Sequence, residues 1–416
     1  VTAIYLARAG WRVCVLERAE VPGGAVKTAE ITLPGFRHDL YATNLNLFAG
    51  SAFAQEFGEQ LGRHGMAFVP SAKPYASVFP DGSAIAVETD LDVTLERMRT
   101  LNPDDAEAWG RLARAFHAEA EDLFPLLSLE MPSFALARQV LGSTRRRGRE
   151  WLLDTARLLV SSSRELTARE FSDERFQALV AAWGMHLNFT PDMAGGALFS
   201  YLESMANQCF GMVVGKGGAD NVINALTGWL TELGGTVRCD AEVTHIEVRA
   251  GRAVAVELAS GERIGAGQAV IAGTAPGRLF GGLVDAGNLP SAFMRRVQRF
   301  RHEPGTVMLH LALDDLPAWS ADPALREYAY VHIGPWLADM NRVYEQAAAG
   351  LLPESPLLVV GQPTAVDPSR APEGRHILWV QVRTVPSQIR GDALGAITAT
   401  DWAAAKEPFG ERCIDR

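Results

Sequence analysis

The first 28 residues constrain the fold of this chain more than any other stretch. Residues 1–9 are good helix formers with an apolar face, and Gly10 is placed to end the helix because glycine readily adopts a positive φ. Residues 12–16 form a nearly continuous apolar run, which predicts a strand buried on both faces of a parallel sheet. Glu17 stands at the carboxyl end of this strand, and the loop Pro22-Gly23-Gly24 lets another group approach the backbone closely.

The order of helix, glycine, strand and acid is typical of the second half of a dinucleotide-binding βαβ unit. In that unit the acid lies about 20 residues beyond a glycine-rich turn and accepts hydrogen bonds from ribose hydroxyls. The chain opens with Val1 on the helix itself, so we expect a fragment that lacks about a dozen N-terminal residues, including the turn. An ordinary αβ unit with a surface glutamate at position 17 is the alternative interpretation.

Residues 6–39, LARAGWRVCVLERAEVPGGAVKTAEITLPGFRHD, carry a family resemblance. They resemble the N-terminal segment of FAD-dependent oxidoreductases of the phytoene desaturase and amine oxidase superfamily, above all the phytoene-dehydrogenase-related proteins. In the family the chain continues beyond the position of Arg416 to a glycine-rich turn and helix beside the flavin, so we also expect a missing C-terminal segment.

The resemblance implies a role for several residues of this stretch in binding FAD. Glu17 would bind the adenosine ribose, and Arg18 and the Gly23-Gly24 loop would lie along the diphosphate. Many members have an arginine after the paired glycines, where this chain has Ala25. The backbone N–H groups of Gly24 and Ala25 would then have to bind the diphosphate without that charge.

A second segment resembles the other FAD-contacting part of the superfamily. Residues 215–218 are Gly-Lys-Gly-Gly, 219–233 have the spacing of an amphipathic helix, and 236–238 and 241–248 are predicted strands. The resemblance implies that the backbone of Val243 meets the adenine.

Between these two segments the hydrophobic pattern predicts mainly helices. After them it predicts both strands and helices. Helices are predicted from Asn102-Pro103, whose Asn is a capping residue, and at 150–161, 173–183 and 193–207. A buried strand is predicted at 268–272, and further strands at 306–313, 357–361 and 376–385 follow.

The expected fold class is therefore α/β with two interleaved domains. An FAD-binding Rossmann-like domain of the glutathione-reductase type would comprise 1–60 and 205–275. A mixed α+β substrate-binding domain, which includes the helical insert, would comprise 61–204 and 276–416.

Composition narrows the classes of partner. The net charge of −10 argues against a nucleic-acid partner. The four cysteines are far apart without a C-x-x-C pair, which is typical of free thiols in a cytoplasmic protein and predicts neither a disulfide framework nor a metal site. No apolar stretch is long enough for a transmembrane helix, and peripheral contact with a membrane stays an open expectation.

The resemblance implies an FAD-dependent oxidoreductase that dehydrogenates or isomerises a hydrophobic polyisoprenoid or lipid-like substrate, with hydride transfer to flavin N5. His38, Tyr41, Asn44 and Asn46 are candidates to face the isoalloxazine or the substrate, although they also suit a polar loop that satisfies its own backbone. No catalytic residue is nominated, because no acid–base or nucleophilic constellation has a persuasive spacing.

Three other functions remain open at the level of the sequence. An amine oxidase-like flavoenzyme would need an aromatic cage at the flavin. A non-catalytic flavin-binding or protein-interaction role would give a yellow protein that no hydride donor reduces. A nicotinamide-only Rossmann enzyme is disfavoured by the interrupted domain layout and the long helical insert.

Overall fold

A computed structural model describes residues 1–334 and 336–416, including all of their side chains except those of 126–128. The α-helices are, in chain order, α1 (Thr2–Arg8), α2 (Asn46–Ala49), α3 (Ala52–Arg63), α4 (Leu91–Arg99), α5 (Pro103–Ser128), α6 (Phe134–Arg147), α7 (Arg149–Val160), α8 (Ser163–Glu170), α9 (Glu174–Met185), α10 (Gly196–Phe210), α11 (Asp220–Glu232), α12 (Pro276–Arg278), α13 (Ser291–Arg299), α14 (Leu337–Ala348), α15 (Pro363–Val366) and α16 (Trp402–Ile414).

The strands are, in the same order, β1 (Cys14–Leu16), β2 (Thr28–Ala29), β3 (His38–Asp39), β4 (Phe68–Ser71), β5 (Tyr75–Val78), β6 (Ala84–Val87), β7 (Met212–Gly215), β8 (Thr236–Arg238), β9 (Val243–Arg249), β10 (Arg252–Leu258), β11 (Arg263–Gly265), β12 (Gly305–Leu313), β13 (Tyr330–Ile333), β14 (Leu351–Leu352), β15 (Leu357–Gly361), β16 (His376–Val385) and β17 (Gly391–Asp392).

The chain divides into two compact units that are interleaved in sequence. The first unit consists of Val1–Lys27, Leu47–Ala67 and Ala219–Glu303. The second unit consists of Thr28–Asn46, Phe68–Gly218 and Pro304–Arg416. These boundaries differ from those of the predicted domains, and the assignment of a function to each predicted domain stays a prediction.

The first unit packs three helices around one small apolar core. Helices α1, α3 and α11 bury aliphatic and aromatic side chains against each other, namely Ile4, Ala7, Phe53, Phe57, Leu61, Ala225, Trp229 and Leu230. Strands β1 and β8 pair in parallel, with Cys14 opposite Thr236. Strands β9, β10 and β11 form a separate antiparallel meander.

Two expectations for the first unit are wrong. Residues 268–272 do not form a strand, and Ile271 is 60% exposed. Cys14 is exposed and not buried, although all four cysteines are free thiols as expected. Within the described chain β1 pairs with β8 alone, so one edge of β1 stays open, and residues 268–272 pair with no strand. An apolar run is buried on both faces only where helices cover both faces of the sheet to which it belongs.

The second unit is organised by a six-stranded mixed sheet. Its strand order is β12-β16-β15-β13-β5-β6, and β13 and β5 are the parallel neighbours in an otherwise antiparallel arrangement. Strands β5 and β6 pair as an antiparallel hairpin, and Asp81-Gly82 lies in the turn between them. Strand β16 begins and ends at the predicted residues, and β12 pairs with it along its length.

Alternation along the strands divides this sheet into two buried faces. One face packs on α5, α9 and α10, and its core includes Tyr75, Trp109, Phe116, Phe176, Trp183, Tyr201, Met205, Tyr330, Val359 and Trp379. The other face carries Ala76, Val331, Leu358, Leu378, Val380 and Val382, and α16 contributes Ala405, Phe409 and Cys413 to the same cluster. A sheet covered on both faces explains why its strands are nearly continuous apolar runs.

The helical insert begins as the sequence predicts. Asn102 caps α5, and its side-chain oxygen accepts hydrogen bonds from the N–H groups of Asp104 and Asp105. The predicted helices at 150–161, 173–183 and 193–207 correspond to α7, α9 and α10. None of the helices in the described parts of the chain combines the length and apolar composition needed to cross a bilayer.

Truncation of Phe116 tests the core between the sheet and the helices. Phe116 is fully buried and packs edge-on against Tyr201, so we expect Phe116→Ala to lower the free energy of unfolding by about 3–5 kcal/mol. Phe134 is 84% exposed, and Phe134→Ala is the matched control, with an expected change within about 0.5 kcal/mol. Urea titration followed by circular dichroism measures both changes, and equal values for the two variants would contradict this packing.

Candidate functional site

Glu17 lies at the carboxyl end of the parallel pair β1 and β8. Its backbone N–H donates to the carbonyl of Arg238 at 2.9 Å, and its own carbonyl accepts from the N–H of Ala241 at 2.9 Å. Its carboxylate is half-buried, and Oε1 accepts a hydrogen bond of 2.8 Å from the N–H of Ala19. The strand pairing therefore fixes the carboxylate at the edge where ligands bind in parallel sheets.

The loop after Glu17 has an accessible backbone. Gly23 has a φ of +126°, and a Cβ there would lie 2.4 Å from the carbonyl oxygen of Val26, so no other residue fits without a shift. Gly24 has a φ of +59° and no heavy atom within 4 Å of the place where a Cβ would lie. Gly24, Ala25 and Arg18 are exposed, so their polar backbone groups can be approached from solvent.

Val243 is close to Glu17, because a backbone hydrogen bond joins Glu17 to a residue just before Val243. It is the first residue of β9, two positions beyond Ala241, whose N–H bonds to Glu17. The half-buried Val243 side chain packs against the small cluster of Ile246, Val256 and Leu283. Glu17 and Val243, which are far apart in sequence, therefore belong to neighbouring strand ends of the first unit.

The second unit contains a fully buried ion pair that the sequence did not indicate. Arg370 and Asp39 have side chains with no exposed surface, and Nη1 of Arg370 donates to Oδ2 of Asp39 at 2.5 Å. Nη2 of Arg370 donates to the carbonyl of Gly215 at 2.6 Å. Asp39 also accepts hydrogen bonds from the hydroxyls of Thr28 and Thr43, each at 2.7 Å. The two charges are thus compensated within the unit.

Asp367 extends this network toward the glycine-rich segment before α11. Its Oδ2 accepts a hydrogen bond of 2.6 Å from the N–H of Gly217 and lies 3.5 Å from Nε of Arg370. Nε of Arg37 donates to the carbonyl of Gly217 at 2.7 Å. The sequence signal for these contacts would have been the Asp-Pro-Ser-Arg turn at 367–370, which supplies two of the charges.

The candidates to face the flavin or the substrate have different environments. Asn46 donates from its side chain to the carbonyl of Gly211 and accepts from the N–H of Val213, so it fastens the start of β7. The side chain of Asn44 accepts from the N–H of Asn46 at 2.9 Å. These contacts are those of a polar loop that satisfies backbone groups. Tyr41 is 53% exposed, and its carbonyl accepts from Nε1 of Trp379.

His38 is buried beside a second histidine. Its Nε2 lies 2.8 Å from the Thr32 hydroxyl, and its ring meets the edge of the His310 ring at 5.4 Å between centroids. Burial, with a smaller contribution from His310, lowers the pKa of His38 to about 4. His38 is therefore neutral near pH 7. Within the described residues, no group of three or more His, Cys, Asp or Glu side chains is arranged to hold a metal ion.

Comparison with known proteins identifies the class. The sequence profile of the flavin containing amine oxidoreductase family matches residues 1–386. The chain belongs to this family, it is an FAD-dependent oxidoreductase, and its fold is the mixed α/β fold of FAD-dependent oxidoreductases.

Individual relatives share most of the chain at low identity. The chain is 28% identical over 412 residues to phytoene dehydrogenase of Streptomyces griseus, which covers 91% of this chain and 69% of the relative. It is 24% identical over 432 residues to pyridine nucleotide-disulfide oxidoreductase domain-containing protein 2 of Rattus norvegicus, covering 94% and 72%. A solved oxidoreductase from Methanosarcina mazei has a TM-score of 0.60 at 15% identity, covering 100% and 80%, and supports the fold.

Replacement of Glu17 tests the predicted ribose contact. We expect Glu17→Ala to weaken FAD binding by about 1.5–3 kcal/mol, because a charge-assisted hydrogen bond is lost. The exposed Glu20, three residues away, provides the control Glu20→Ala, which should bind FAD as the parent does. Flavin occupancy of the purified full-length protein and FAD titration measure the difference, and equal affinities of the two variants would remove Glu17 from the site.

Replacement of Arg370 tests the buried ion pair. We expect Arg370→Gln to lower the free energy of unfolding by about 3–5 kcal/mol, because Asp39 is left buried and charged without its partner. Arg375 is the matched control, since its ion pair with Asp314 is exposed and Arg375→Gln should change stability by less than about 1 kcal/mol.

A double variant separates charge from packing at the same position. Arg370→Met combined with Asp39→Leu removes both charges, so it should be more stable than Arg370→Gln alone in denaturant titration. A double variant as unstable as the single one would show that the loss of the hydrogen-bond network, and not the unpaired charge of Asp39, causes the loss of stability.

Proposed function

We propose that this FAD-dependent oxidoreductase dehydrogenates a hydrophobic polyisoprenoid or lipid-like substrate. The observation that carries the proposal is the similarity to a phytoene dehydrogenase over 91% of this chain. The large apolar layer between the sheet and the helices of the second unit supports it, because an apolar substrate requires an interior with few charges.

The first unit supplies residues that suit the adenosine diphosphate part of FAD. The half-buried Glu17 carboxylate, oriented by the N–H of Ala19, has Oε2 left to accept from a ribose hydroxyl. The open backbone at Gly24 and Ala25 leaves N–H groups accessible to a diphosphate. The exposed Arg18 could add the positive charge that Ala25 lacks.

Bound FAD supplies the hydride acceptor for this chemistry. The residues of the chain contribute position and exclusion of water. The buried cluster on the helix-covered side of the sheet contains Trp183, Tyr330 and Trp379, and Tyr330 and Trp379 stack with an interplanar angle of 3°. A substrate bound against apolar side chains of this kind would be held without hydrogen bonds and shielded from water.

An amine oxidase-like activity is the second candidate. The description of the matching family, flavin containing amine oxidoreductase, favours it. Oxidation of an amine requires that its nitrogen lose a proton. A site for this reaction would therefore contain a polar group able to accept that proton.

Anaerobic reduction of the flavin distinguishes the two candidates. We expect the visible absorbance of oxidised FAD in the full-length protein to fall when a polyisoprenoid in detergent micelles is added, and to remain constant with a primary amine. The same additions to free FAD are the control for reduction without protein. Bleaching by the amine alone would reverse the choice, and no bleaching by any donor would favour a flavin-binding role without turnover.

A further inference from the structure

The second unit exposes large apolar side chains on two consecutive helices. On α6 they are Phe134 and Leu141, and on α7 they are Leu153 and Val160. A single exposed apolar side chain is ordinary, whereas several on adjacent turns indicate a surface that contacts an apolar partner. Gly148 alone separates the two helices, and α6 and α7 pack on each other, so these side chains belong to one helical hairpin.

The two helices of this hairpin repeat one exposed pattern. In each helix a large apolar residue is followed by alanine three positions later, arginine four positions later and a second large apolar residue seven positions later. Residues with this spacing lie on one face of a helix. All of them are exposed, and we call the two sets the exposed stripes. The stripe of α6 consists of Phe134, Ala137, Arg138 and Leu141, and that of α7 of Leu153, Ala156, Arg157 and Val160.

The hairpin is basic although the chain as a whole is acidic. Residues 134–160 contain six arginines, one glutamate and one aspartate, which gives a net charge of +4, whereas the whole chain carries −10. The buried Asp122 of α5 pairs with Arg146 and Arg147. Even with that carboxylate counted, the region keeps an excess of three positive charges. A local excess of the sign opposite to that of the whole chain indicates a negatively charged partner.

The remaining arginines of the hairpin are available to such a partner. Arg157 pairs with Asp154 at 2.8 Å on the surface of α7, and exposed pairs of this kind are weak. Arg138, Arg145 and Arg149 are exposed, and no carboxylate of the described residues lies within ion-pair distance of them. The first two lie on the face of α6 that carries its exposed stripe, because they are seven positions apart.

We propose that the helical hairpin of α6 and α7 docks on the surface of an anionic lipid bilayer. The large apolar side chains of the exposed stripes enter the boundary between headgroups and acyl chains, and the arginines among them extend to the lipid phosphates. The proposal goes beyond the proposed function, because it concerns the surface on which the protein acts. A lipid-like substrate dissolves in the same bilayer, so the two are compatible.

The charge of the hairpin favours a bilayer over a second copy of the chain as the occupant of this surface. Two copies that met through the exposed stripes would bring two positively charged surfaces together, which is unfavourable. An anionic bilayer instead supplies negative charge and an apolar layer at the same time, and the two components match the arginines and the apolar residues of each stripe.

Sedimentation with lipid vesicles tests the docking. The full-length protein is mixed with vesicles of phosphatidylcholine alone or of an equimolar mixture of phosphatidylcholine and phosphatidylglycerol. We expect at least about tenfold tighter binding to the anionic vesicles, because each arginine near such a surface contributes about fivefold in affinity. High ionic strength should reduce this preference by screening the charges.

Replacement of two arginines assigns the preference to the hairpin. We expect Arg138→Gln combined with Arg145→Gln to weaken binding to the anionic vesicles by about tenfold or more, and to leave the weak binding to phosphatidylcholine unchanged. Arg375→Gln removes an exposed arginine elsewhere in the same unit and should bind as the parent does.

Replacement of two apolar residues tests the insertion of the stripe. We expect Phe134→Gln combined with Leu141→Gln to weaken binding to both kinds of vesicle by about tenfold or more, because the apolar contact with the acyl chains is lost. Both side chains are exposed, so the circular dichroism of the variant should equal that of the parent. Leu394→Gln, at another exposed leucine of the same unit, is the control.

Three results would overturn the proposal. One is equal affinity for neutral and anionic vesicles, and another is undiminished binding by the two double variants. The third is a parent protein that forms dimers without binding vesicles, while the variant of Phe134 and Leu141 is monomeric, since the exposed stripes would then join two copies. None of these measurements involves reduction of the flavin, so a failure of docking and a failure of the proposed function are distinguishable.

Discussion

The fully buried ion pair between Asp39 and Arg370 is the interaction on which the second unit depends most. It joins residues 331 positions apart, and hydrogen bonds to Thr28, Thr43 and Gly215 surround it. The chain passes between the two compact units at 27–28, 46–47, 67–68, 218–219 and 303–304, and the network holds residues of the second unit next to the first, second and fourth of these crossings. An interleaved fold depends on such contacts, because each segment that follows a crossing finds most of its partners far away in the sequence. The opposite charges of the pair compensate each other, so its burial is tolerated, but neither partner can be removed alone without leaving a buried charge.

Much of the local structure follows from the sequence because its causes are local. Asn102 followed by Pro103 predicts the start of α5, and the structure shows the expected side-chain cap. The apolar run at 376–385 predicts β16 with its observed ends. The position of Glu17 at the end of β1 follows from the order of helix, glycine and strand, and Gly10 has the expected positive φ of 84°. The family, the cofactor and the class of enzyme are also confirmed, whereas the roles of Glu17, Gly23, Gly24 and Val243 remain predictions.

The features that the sequence does not predict are set by distant partners. The apolar run at 268–272 has the composition of a buried strand, yet it stays unpaired and Ile271 is exposed, because a strand exists only with a neighbour. Asp39 and Arg370 are separated by most of the chain, so neither local charge nor periodicity connects them. His332 and Arg383 are single polar residues in otherwise apolar strands, and only the register of β13, β15 and β16 brings them to one face. The spacing of the histidines in the sequence therefore does not indicate which of them are in contact, although the ring nitrogens of two of them lie 3.3 Å apart in the structure.

The two arginines of the second unit, Arg370 and Arg383, differ in how their charges are compensated. Both are removed from bulk water, wholly for Arg370 and partly for Arg383. Arg370 has a carboxylate at 2.5 Å and a second one at 3.5 Å. Among the described residues, Arg383 donates to the carbonyls of Met185 and His186, whose dipoles stabilise a cation without neutralising it. A partly buried cation that only backbone dipoles stabilise costs desolvation free energy, which an apolar residue of similar volume at the same position would avoid. Arg370 offsets that cost with the charge of Asp39, so its burial is compatible with a stable unit, whereas Arg383 offsets it through the carbonyls at the end of α9.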